Sequence, residues 1–174
     1  AAQLRLGVPI GLTIFFEVSS FTLMAIFISR IGTISVAAHQ IVGNITATLY
    51  QVPLSLAIAV CVLVSQCLGA GYKDAARTIT VRTLKCAVAI TATNAFLLYI
   101  FRHELVALYT PDVPVQQLAA SLLIFGVIYH VTDACQSVSN FALRGYRVTV
   151  LPMILYGVLL WAVGLGGGYW LGFG

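Results

Sequence analysis

Charge is what this chain has least of. Its 174 residues include nine Lys and Arg and five Asp and Glu, 8% charged against 60% hydrophobic. A soluble domain needs roughly a quarter or more of its surface charged, so a water-soluble globule is excluded, in keeping with a mean hydropathy of +1.01. Apolar–polar alternation is missing as well. Membrane strands alternate over segments of roughly ten residues, whereas the apolar runs here are longer and unbroken. Cysteine is sparse: Cys61, Cys67, Cys86 and Cys135 form no CxxC pair and no metal-ligand spacing with histidine. They read as small packing residues rather than disulfides or zinc ligands. The net charge of +4 is scattered, with no aromatic-interleaved basic patch, so no nucleic-acid partner is expected. Gly69 and Gly71 complete no nucleotide fingerprint and follow a helical segment, not a strand. No signal peptide is expected either, because the first apolar segment is too long and contains an acid.

Long apolar segments are what the chain does have. A membrane helix needs about 20 mostly apolar residues, and five segments qualify, near Leu6–Ser29, Ser35–Leu68, Thr78–Phe101, Val115–Leu143 and Val148–Leu171. The expected fold is therefore all-α, a polytopic membrane helix bundle forming a single membrane domain. Arg5, Lys73, Arg77, Arg82, Lys85, Arg144 and Arg147 fall on one side of it and only Arg30 and Arg102 on the other. The positive-inside rule then makes the N-terminus cytoplasmic and the end of the fifth segment external. GAGYKDAAR is a glycine-rich inner loop with Asp74 placed to cap the next helix. RHELVALYTPDVP reads as a short interfacial helix or bend. Pro53, in mid-segment, is expected to kink its helix. Lone His39 and His130 read as interfacial or packed residues. Five spans are one short of the six-helix half from which many transporters are built, so the chain reads as part of something longer.

Two acids break the apolar pattern. Glu17 and Asp133 each lie in mid-segment, where a charge costs several kcal/mol, on scales that range from about 3 to more than 10. Glu17 is eleven residues from the inner start of its segment and Asp133 ten from the inner end of its own. At 1.5 Å per residue, both come to about 15 Å deep, near the middle of a core about 30 Å thick. No Lys or Arg shares that depth, so each must be protonated, hydrated or bound to a cation. Polar stripes accompany them. Thr13, Glu17 and Ser20 recur at helical spacing, as do Tyr129, Asp133, Gln136 and Asn140, and Asn44, Thr48, Gln51 and Ser55. Such stripes line a hydrated cavity or simply bond helices together. Tyr129, one turn from Asp133, offers a further oxygen to a hard cation such as sodium. No covalent chemistry and no organic cofactor are expected, only a coupling ion, sodium or a proton.

LGVPIGLTIFFEVSSF, with Pro9 and Glu17, together with AAHQIVGNI, VSQCLGAGYKDAAR and DACQSVSNFALRGYR, resembles successive helices of the multidrug and toxin extrusion (MATE) family, in its NorM-like bacterial branch. The resemblance runs over essentially the whole chain. It implies most of the C-terminal lobe, helices seven to eleven, of a twelve-helix, two-lobe antiporter of the bacterial inner membrane, whose N-terminal lobe and last helix lie outside this chain. Such proteins export cationic, often aromatic drugs in exchange for sodium or protons. By resemblance, Glu17, Tyr129 and Asp133 match the coupling-cation ligands, while Gln40 and Asp112 match drug-contacting positions. A helix cap is the plainer role for Asp112. Asn44, Gln51, Gln136 and Asn140 would line the polar cavity. A lipid or polyisoprenoid-linked flippase of related architecture is the alternative, although it would want basic residues for an anionic headgroup. An intramembrane protease with paired acids is the enzymatic one, although no protease motif surrounds them.

Overall fold

The computed structural model describes residues 2–173, with the side chains of 3–170. The helices are α1 (Ala2–Ser29), α2 (Thr33–Gly69), α3 (Lys73–Ile100), α4 (Arg102–Ala107), α5 (Val113–Gly145), α6 (Val150–Tyr156) and α7 (Gly166–Phe173), with a π-helical stretch, Gly157–Leu165, joining the last two. Five stretches among the described residues are long and apolar enough to cross a membrane: Gln3–Ser29, Thr33–Gly69, Lys73–Ile100, Val113–Gly145 and Val150–Trp170. The expected segments are all present, with shifted ends. The third starts five residues before Thr78, because polar Lys73–Arg77 continues the helix beyond its apolar part. The fifth is not one regular α-helix, since its middle opens to i→i+5 bonding. The short helix expected after Arg102 is α4, and α2 runs through Pro53 without a break.

The chain forms two compact units. The first comprises residues 1–36 and 147–174. Here α1 packs against α6 and the π-helical stretch, through contacts that advance in parallel along both. The ring of Phe16 lies 3.3 Å from where a Cβ on Gly157 would be and meets Trp161 edge-on at 6.1 Å. The end of Met24 lies 3.0 Å from the equivalent point on Gly168, and Phe27 meets Tyr169 at 5.7 Å.

The second unit, residues 37–146, packs α3 and α4 on α5. One apolar cluster joins Ala38, Ile41 and Ile45 of α2 to Leu98, Val106, Val115, Ala119 and Leu123. A second joins Ala57, Val60 and Val64 to Ala76, Ala87, Val138 and Ala142. Between them, the Tyr50 hydroxyl lies 2.6 Å from that of Ser137 and ties α2 to α5. The α2–α3 turn closes with Tyr72 N–H donating to Cys67 O and Gly71 N–H to Leu68 O. Gly71 has φ +83°. That is a Schellman cap, whose left-handed position favours glycine. Asp74 lies in the first turn of α3, yet it is not the cap. Tyr72 holds that position and no side chain bonds there, because the Schellman turn leads straight into the helix.

Candidate functional site

On α1, Thr13 and Ser20 are buried and Glu17 is half-buried. The flanking hydroxyls are satisfied within their own helix. Thr13 donates to Pro9 O at 2.8 Å and Ser20 to Glu17 O at 3.0 Å. The α2 stripe behaves in the same way. Thr48 donates to Asn44 O and Ser55 to Gln51 O, and all four of its residues are exposed, whereas Ile41, Ile45, Ala57 and Val60 of the same helix are buried. These hydroxyls donate to carbonyls three or four residues earlier in their own helices. An interhelical polar bond runs through Tyr50 and Ser137, which lie off the stripes, and the Ser65 hydroxyl reaches Gly145 O at 3.5 Å. Their signal in the sequence was weak, because an isolated tyrosine or serine marks no periodicity.

On α5, Tyr129 and Gln136 are exposed, Asp133 is half-buried and Asn140 is buried. The stripe thus runs along the edge of the packed seam formed by Leu123, Gly126, His130, Ala134 and Ser137. Tyr129 and Asp133 stand one turn apart on α5 and can present phenolic and carboxylate oxygens on one face. Glu17 belongs to the other unit. His130 is packed, 2% exposed, and its Nε2 is buried with no hydrogen-bond partner among the described residues.

Gln40 and Asp112 are both exposed. They share one end of the second unit, because the cluster that holds Ala38 and Ile41 also holds Val115 and Ala119. Asp112 occupies the N-cap position of α5 without a side-chain capping bond, so its carboxylate is not consumed by that role. The turn is held otherwise. Asp112 N–H donates to the Thr110 hydroxyl at 3.2 Å, and the Gln116 amide donates to Thr110 O at 2.7 Å. A cavity of about 330 Å³ opens nearby, lined by Ile45, Thr48, Asn94, Leu98, Phe101 and Tyr109 among others. Asn94, near Thr91 and Thr93 on α3, was not anticipated.

Residues 9–170 match the MatE family. The chain belongs to the MatE family. It is a family of transporters, not enzymes. Among relatives of this MatE chain, the probable multidrug resistance protein NorM of Aromatoleum aromaticum is 44% identical across 99% of the chain. That of Chromobacterium violaceum is 39% identical across 98%, and the multidrug resistance protein MdtK of Proteus mirabilis 34% across 96%. The chain spans 37%, 37% and 36% of the lengths of these three. A solved MOP superfamily transporter from Pyrococcus furiosus shares the fold, with a TM-score of 0.81 at 17% identity, over 96% of this chain and 39% of that one. The MatE chain is accordingly a multi-pass membrane protein.

Proposed function

We propose that the chain is most of the C-terminal lobe of a cation-coupled multidrug exporter of the bacterial inner membrane, with its N-terminus cytoplasmic. The observation that carries this is the 44% identity to a probable multidrug resistance protein across 99% of the chain, which includes both mid-span acids. Glu17, Tyr129 and Asp133 are the residues we assign to the coupling cation, sodium or a proton. Gln40 and Asp112 are assigned to the cationic drug, and Asn44, Gln51, Gln136 and Asn140 to the polar lining. The N-terminal lobe and last helix of the transporter would complete the path.

Exchange follows from charge. An ionised carboxylate favours a cationic drug, and a carboxylate neutralised by sodium or a proton does not. Drug and ion therefore weaken each other's binding, and by linkage the effect is reciprocal. The test is sodium- and pH-dependent drug efflux by the full-length protein carrying Glu17→Gln or Asp133→Asn. Each variant should lose coupling, and unchanged coupling in both would sink the assignment.

A further inference from the structure

We propose that the first three turns of α3 hold the headgroup of an anionic, hydroxylated phospholipid, of the phosphatidylglycerol type. This goes beyond drug transport and stands without it. A groove of about 460 Å³ is lined by Asp74, Arg77, Thr78, Val81, Arg82 and Lys85, all exposed. At 100° per residue these six fall on one half of the helix, so three cations share one face instead of ringing the helix. Lys73 adds a fourth at its edge.

Depth places the groove at the headgroups. With 28 residues, α3 is about 42 Å long, about 12 Å more than the hydrocarbon core. Set with Ile100 at the far boundary, the core begins near Val81. Arg77 then lies at phosphate level, and Arg82 and Lys85 lie just below it, where long basic side chains reach back to the interface. Basic pockets at this level attract anionic headgroups, with about a kcal/mol for each cation near the surface. Asp74 sets the headgroup chemistry. Its carboxylate repels a second phosphate but accepts a hydrogen bond from a glycerol hydroxyl. Beyond the groove the same face continues as Ala89, Ala92 and Phe96, all exposed, a smooth track for an acyl chain that ends on a ring.

The test is native mass spectrometry of the full-length protein released from mixed vesicles of phosphatidylglycerol and phosphatidylcholine. The wild type should retain phosphatidylglycerol selectively. The Arg77→Gln/Arg82→Gln/Lys85→Gln variant should bind it about a hundredfold more weakly, and Arg5→Gln/Arg30→Gln should match the wild type. Equal retention by the triple variant, or equal loss in the Arg5/Arg30 variant, would overturn the proposal. So would displacement by millimolar inorganic phosphate, since a site for phosphate alone has no need of the lipid. Should the triple variant not fold, a photoactivatable phosphatidylglycerol on the wild type decides. Labelling concentrated between Lys73 and Phe96 supports the site, and labelling spread evenly over the five spans refutes it.

Discussion

Replacing Gly145 by alanine should force α2 and α5 apart. A Cβ at Gly145 would lie 2.9 Å from the carbonyl oxygen of Cys61 and 3.0 Å from a methyl carbon of Val64. Carbon and carbonyl oxygen in favourable contact are about 3.3–3.6 Å apart, so the gap is short by about 0.4 Å or more. The obstacle is backbone within α2, between fully buried Val60 and Val64, and it cannot rotate away. The Ser65 hydroxyl, which donates to that same Cys61 oxygen at 2.8 Å, limits it further. Overpacking of this kind costs about 1–3 kcal/mol. Gly126 is the matched control on the same helix. A Cβ there would meet Thr46 at 3.4 Å and Val42 at 4.0 Å, which is ordinary contact, while alanine removes the roughly 0.5–1 kcal/mol that glycine costs inside a helix. The two alanine variants should therefore differ by about 1.5–4 kcal/mol, with Gly145→Ala the less stable. Thermal unfolding of the full-length protein in detergent would measure the order. Cys61 labelling, with the other three cysteines replaced, would report whether the helices part. If Gly145→Ala unfolds with Gly126→Ala and leaves Cys61 no more reactive, the close approach of the two helices is wrong.

Tyr50→Phe and Ser137→Ala should be coupled by about 0.6 kcal/mol and by no more than about 1.7, which a double-mutant cycle of unfolding free energies would read. Additive single effects would show that the 2.6 Å contact contributes nothing. His130→Leu should leave the folded protein as stable or more so, because it removes a buried nitrogen with no partner among the described residues whose desolvation costs about 1–3 kcal/mol; a clear loss in the same unfolding assay would mean that Nε2 has an essential partner. Asp112→Asn should change stability by less than about 1 kcal/mol, the contribution of a charge at a helix N-terminus, since no capping bond is lost. If Asp112 contacts drug, the same variant should weaken binding of a cationic dye; a stability loss with unchanged dye binding would return it to a structural role.

The spans were legible in composition and length alone, because apolar runs of this size have no place in water. So were the mid-span acids, whose cost makes them conspicuous wherever they fall. Ends were less legible. The helix of α3 begins at Lys73, in polar sequence, because backbone hydrogen bonding and the turn around Gly71 set its start, whereas hydropathy marks only where lipid begins. Asp74 illustrates the same limit: an acid at the right spacing was read as a cap that a backbone-only turn had already made unnecessary.

Which face of each helix is buried was decided by the tertiary structure. In water, a helix advertises its packed side by an apolar stripe. In a bilayer, lipid tails are as apolar as a protein core, so both sides look alike and the stripe vanishes. Phe96, Phe125 and Ile128 are thus among the most exposed residues, at 64, 72 and 68%, while Thr13, Thr91 and His130 are buried. Sequence by itself determined that this is a membrane bundle of the MatE family with two acids where charge is expensive. Only the packed chain decided that the α2 stripe lies on an exposed face, that Tyr50 and Ser137 join α2 to α5, and that the backbone of α2 lies against Gly145. Those contacts depend on the distance between helices, and no spacing along a single helix encodes it.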